Sequence, residues 1–152
     1  MESKWHNRLR ARIVDYLKER GFVVRTSHER TGKVPLYYDK PSRSTFTSDV
    51  DILTIKDGDV KHIIEVQDSI RPKDLIGIIG AINISTIYKS TKYPLKDVIL
   101  FIVTKQYIKG SKKADQIAVI LERSKCIGGC LKDTIICTET DFRDRFEKCE
   151  QK

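Results

Sequence analysis

Two strand-like segments, Asp49–Ile55 and Val60–Gln67, flank the turn sequence Lys56-Asp57-Gly58-Asp59, and this hairpin constrains the fold more than any other stretch. Side chains alternate along a strand. Asp49 and Asp51 therefore share one face, with Val50 and Ile52 on the other. Glu65 and Gln67 share a face in the same way, with Ile64 and Val66 opposed. A carboxylate set in so apolar a strand is costly unless a partner or a metal ion compensates it. Register decides whether the acids meet. A two-residue Asp57-Gly58 turn sets Asp51 against Ile64 and leaves the acids on opposite faces. A three-residue loop, Asp57-Gly58-Asp59, pairs Asp51 with Glu65 and Asp49 with Gln67, and a bulge corrects the register equally well. Acidic groups brought together in this way repel unless a cation holds them, and hard oxygen donors suit Mg²⁺ or Mn²⁺.

The remaining periodicities surround this hairpin with alternating helices and strands. Trp5, Leu9, Ile13, Tyr16 and Leu17 form a helical stripe over residues 3–20, closed by Gly21. Phe22 to Arg25 reads as a short strand. Ser27 to Ser48 reads mostly as loop, with a short strand at Val34–Tyr38. Arg71-Pro72 opens a helix that the pattern carries to about Tyr88. Val98–Val103 is continuously apolar, as a buried central strand requires. A helix over Ser111–Arg123, a strand over Thr134–Thr138 and a terminal helix over Asp141–Cys149 follow. The core order α-β-β-β-α-β-α-β predicts an α/β fold in a single domain spanning 1–152, a mixed sheet with helices on both faces.

The net charge of +8 favours a polyanionic partner, of which nucleic acid is the commonest. The segment from Arg25 to Arg43 mixes Arg25, Arg30, Lys33 and Arg43 with Tyr37 and Tyr38, a composition able to follow a phosphate backbone while aromatics meet bases. Arg8 on the first helix, and Ser69 and Lys73 near the start of the second, are further candidate phosphate contacts. His6, His28 and His62 read as surface residues. Cys126, Cys130, Cys137 and Cys149 have spacings that match no standard zinc module, so reduced thiols are expected. No apolar run is long enough for a membrane helix, and the start Met-Glu-Ser-Lys-Trp-His lacks the apolar core of a signal peptide. The expectation is a soluble, cytoplasmic protein that does not engage a membrane. Neither a nucleotide-binding glycine loop nor a Ser-His-Asp or Cys-His pairing is evident.

Ser48-Asp49-Val50-Asp51-Ile52 and Glu65-Val66-Gln67, with thirteen residues between Asp51 and Glu65, resemble the core motif of the PD-(D/E)XK nuclease superfamily. The element order over roughly residues 3–104 is similar to that superfamily's restriction-endonuclease-like core, and Ile13 to Arg25 resembles archaeal Holliday-junction resolvases. The resemblance implies a divalent-metal-dependent DNA endonuclease acting on duplex or branched DNA, usually as a homodimer. It makes Asp51, Glu65 and Gln67 the catalytic residues. Asp51, Glu65, the Val66 carbonyl and Asp49 become the candidate metal ligands. Gln67 stands where the family usually has Lys, and the first helix carries Asn7, Arg8 and Arg10 where resolvases carry an acid. These departures favour the alternative of a nuclease fold with a degraded site, acting as a DNA-binding or regulatory protein.

Overall fold

The computed structural model describes residues 4–26, 33–106 and 111–151. It opens with α1 (Lys4–Glu19), whose stripe of Leu9, Ile13, Tyr16 and Leu17 is buried. Gly21 adopts a left-handed φ of 91° and terminates the helix. Its N–H donates to the Lys18 carbonyl and that of Phe22 to the Leu17 carbonyl, so two end carbonyls are satisfied. A Gly21→Ala variant is expected to lose about 1 kcal/mol from the strain of that φ. The check is a shifted urea midpoint at unchanged slope.

The strands β1 (Val23–Thr26), β2 (Val34–Tyr37), β3 (Phe46–Val50), β4 (Ile52–Lys56) and β5 (Asp59–Gln67) come next, then α2 (Pro72–Asn83). After these come β6 (Ile87–Tyr88), β7 (Ser90–Pro94), β8 (Val98–Thr104), α3 (Lys112–Ser124), β9 (Leu131–Thr138) and α4 (Glu139–Glu150). A five-stranded mixed sheet has the order β1-β4-β5-β8-β9. Its β1, β4 and β5 are antiparallel neighbours, whereas β5, β8 and β9 run parallel. A second sheet of four strands, β3-β2-β6-β7, stands beside it.

This second sheet corrects two expectations. The second helix ends at Asn83 and not near Tyr88. The β-branched and aromatic run Ile84-Ser85-Thr86-Ile87-Tyr88 suits a pleated surface better than a helix, and Ile87 and Tyr88 pair with Tyr37 and Leu36. The strand expected over Asp49–Ile55 is also two strands. It breaks at Asp51, where the chain leaves the smaller sheet for the larger one.

The main sheet is covered on both faces. Ile52, Ile64, Val66, Phe101 and Val103 pack beneath α1 and α4, against Leu9, Leu17, Phe142 and Phe146. Leu53, Ile63, Leu100 and Ile102 face α2, α3 and the smaller sheet, against Leu75, Ile79, Ile117 and Leu36. His62 is buried, not exposed. Alternation places it on the Ile64 and Val66 side, under α4, where its ring lies 4.6 Å from that of Phe146. Both of its nitrogens have partners at 2.8 Å, Thr54 Oγ1 for Nδ1 and Glu150 Oε1 for Nε2. Desolvation lowers its pKa, against the pull of Glu150. None of the four cysteines forms a disulfide, and burial pushes Cys130 up to about 11 and Cys137 up to about 12, away from thiolate chemistry. No helix among the described residues is long and apolar enough to cross a membrane.

Candidate metal centre

The hairpin reaches the register that brings the acids together by the second of the two expected routes, a bulge. Its turn is the short one: Lys56 pairs with Asp59 around Asp57 and Gly58, whose φ values of 54° and 82° are left-handed. Left alone, that turn would set the acids on opposite faces. The pairing then shifts between Ile55↔Val60 and Thr54↔His62, so Lys61 is an extra residue on β5. From there Ile52 faces Ile64, and the same register sets Asp51 across from Glu65.

The two carboxylates are consequently adjacent and almost fully buried, Asp51 at 0% exposure and Glu65 at 3%. The Asp51 N–H donates to Glu65 Oε1 at 3.3 Å, and the Val66 N–H donates to Asp51 Oδ2 at 2.8 Å. Each strand thus anchors the acid of the other. Burial first, and the Asp51 charge second, push the Glu65 carboxyl well above the usual range. The opposing influences are Lys33, whose Nζ lies 3.8 Å from Glu65 Oε2, and the hydrogen bond from the Asp51 N–H. Asp51 Oδ1 is buried and has no hydrogen-bond partner among the described residues. A buried carboxylate oxygen without a donor fits the coordination of a hard cation.

One contributor is absent from the sequence expectations. His6 Nε2 lies 2.8 Å from the Val66 carbonyl oxygen and 3.6 Å from Asp51 Oδ2, with its side chain 12% exposed. The expectation of a surface histidine fails because His6 belongs to the inward stripe of α1, three residues before Leu9 and seven before Ile13. A polar side chain extending an apolar stripe by one turn was the available signal.

The remaining candidates separate into those near the pair and those apart from it. Gln67 follows Glu65 on the same face, half-buried at the end of β5. Asp49 is exposed on β3 and pairs with Pro35 in the smaller sheet; its expected place opposite Gln67 is lost to the bend at Asp51. Lys33 reaches Glu65. Arg25 lines a groove of about 530 Å³ with Thr26, Pro35, Tyr37, Tyr88 and Lys89. One of its lining residues, Thr26, donates its hydroxyl to the Asp51 backbone carbonyl at 3.2 Å. Ser69 is further round, in a cavity of about 190 Å³ with Gln106, Ser111 and Lys113 at the start of α3. Arg8, Arg43 and Lys73 are exposed on α1, the β2–β3 turn and α2 respectively. Arg30 and His28 lie outside the described residues.

The donor set fits a hard divalent ion: two buried carboxylates, one with an orphaned oxygen, beside a carbonyl at the carboxyl end of a parallel strand. Among the described residues no three His, Cys, Asp or Glu side chains form a ready-made cage. An incomplete protein cage is the usual arrangement for Mg²⁺, which retains several waters. No family model, curated protein or solved structure matches the chain.

Proposed function

We propose that this protein is a divalent-metal-dependent phosphodiesterase of the PD-(D/E)XK type, acting on DNA. The observation that carries the reading is the adjacent, buried Asp51–Glu65 pair, held against its own repulsion and with the Asp51 Oδ1 oxygen unpartnered. Folding tolerates such a pair when a ligand repays its cost.

Asp51 and Glu65 would hold the ion, with the Val66 carbonyl as a further oxygen donor. A bound Mg²⁺ or Mn²⁺ would polarise the scissile phosphate and lower the pKa of an attacking water. Gln67 orients that water through its amide but carries no charge to set against the phosphate. Lys33 supplies that charge, since its ammonium lies beside Glu65. The groove lined by Arg25, Tyr37 and Lys89 combines cations with an aromatic face, which suits a nucleic-acid strand. Two strands of a duplex or junction would be cut by two copies of the chain, hence a homodimer.

Plasmid, single-stranded and branched DNA incubated with Mg²⁺ or Mn²⁺ tests the reading. Cleavage is expected, and Asp51→Asn is expected to lower its rate by about 10³-fold or more, several kcal/mol of transition-state stabilisation. A second reading, a DNA-binding protein with a degraded site, draws on Gln67 in place of a cation. Salt-sensitive DNA binding without metal-dependent cutting would replace the first reading with the second.

A further inference from the structure

Among the described residues, His6 is the one imidazole that reaches the acidic pair from a separate element, and its position has a coordination geometry. Donors sharing one ion through bonds of about 2.1 Å are about 3.0 Å apart when adjacent and about 4.2 Å apart when opposite. His6 Nε2 is 2.8 Å from the Val66 carbonyl oxygen and 3.6 Å from Asp51 Oδ2. The first is close to the adjacent spacing and the second falls between the adjacent and opposite spacings, so both are within the span of donors around a common centre. The same Nε2 is offered from a rigid scaffold: His6 is in the first turns of a 16-residue helix whose following stripe, Leu9, Ile13 and Leu17, is buried in the core.

We propose that His6 is a protein ligand of the ion bound by Asp51 and Glu65, and that it biases the site toward Mn²⁺ and its borderline neighbours over Mg²⁺. The inference rests on the metal-centre reading above and assigns that site its selectivity. Its chemical basis is donor softness. Carboxylate and carbonyl oxygens serve Mg²⁺, Ca²⁺ and Mn²⁺ alike, whereas an imidazole nitrogen adds affinity for Mn²⁺, Co²⁺, Ni²⁺ and Zn²⁺ along the first-row series and little for Mg²⁺. One nitrogen among oxygens therefore separates two ions that the acids alone would treat similarly. The competing arrangement is a plug: Nε2–H donates to the Val66 carbonyl and occupies the position of the ion, which then has to displace it. The two arrangements predict opposite effects of removing the ring.

The test uses the full chain with Mn²⁺ and Mg²⁺ as the probes. Calorimetric titration is run on the wild type, His6→Ala, His6→Asn and Asp51→Asn, alongside electron spin-echo spectroscopy of the Mn²⁺-loaded wild type. The expected result is Mn²⁺ binding that Asp51→Asn abolishes, with imidazole nitrogen coupling in the wild-type spectrum that disappears in His6→Ala. Both His6 variants are expected to weaken Mn²⁺ by about tenfold or more while leaving Mg²⁺ within about twofold. The spectrum needs no variant, so a misfolded substitution leaves the question answerable. Asp51-dependent Mn²⁺ binding without nitrogen coupling, or tighter binding in His6→Ala, overturns the His6 assignment while the metal centre stands. Wild-type protein that binds neither ion overturns the metal centre itself and His6 with it.

Discussion

Glu65→Gln is expected to raise the stability of the metal-free protein while abolishing divalent-ion binding. Glu65 is 3% exposed and shares its site with Asp51, so its charge is paid for in desolvation and repulsion, with Lys33 as a partial offset. Gln keeps the shape and can still accept the Asp51 N–H through its amide oxygen, but brings no charge. The expected gain is about 1–2 kcal/mol, the range typical of relieving a strained functional site. For a chain of 152 residues this raises the melting temperature by roughly 2–8 °C.

The same shift fixes the pH dependence. The folded-state pKa of Glu65 lies above its unfolded value near 4.5, so the native protein binds more protons than the unfolded chain between the two. Stability in the metal-free state therefore falls as pH rises above that unfolded value, and goes on falling until the folded pKa is passed. Adding Mn²⁺ is expected to reverse the loss in the wild type and to do nothing in Glu65→Gln. Melting curves across pH, with and without Mn²⁺, read all of these at once. A Gln variant less stable than the wild type in chelator would show that the pair is a structural feature and not a site held ready for an ion.

Phe146→Ala is expected to cause the largest loss of stability, about 3–5 kcal/mol. Phe146 is fully buried on α4 and its ring meets those of Tyr16, Phe22, Phe101 and Phe142 at centroid distances of 5.6–5.8 Å, and that of His62 at 4.6 Å. It joins α1, the main sheet and α4, elements that no other side chain among the described residues connects through so many rings. The Tyr16 hydroxyl also donates to Glu147 on α4, and burial and that carboxylate push the phenol up to about 12. The expected fall in melting temperature is roughly 6–20 °C. Because α1 carries His6 into the site, Mn²⁺ affinity is expected to weaken as well. A loss under about 1 kcal/mol would mean that α4 packs without depending on this cluster.

Much of the fold was legible because it is written in short-range patterns. The stripe of α1, the Pro at the start of α2, the apolar run of β8 and the helical pattern of α3 each report a local preference that the tertiary structure did not overrule. The acidic pair was legible for a related reason. Asp51 and Glu65 are charged residues among side chains that bury, and that contradiction marks a site wherever the chain folds.

The sequence by itself determined that these two acids lie in apolar strands joined by a tight turn. Tertiary structure alone decided that they meet. The two-residue turn opposes the meeting, and the extra residue at Lys61 restores it, a one-residue choice that local propensity does not encode because it depends on which face is buried. Tertiary structure also removed Asp49 by bending the chain at Asp51 into a second sheet. It brought in His6 and Lys33 from segments distant in sequence, since only packing of α1 and β2 against the hairpin sets a distance between them and the acids.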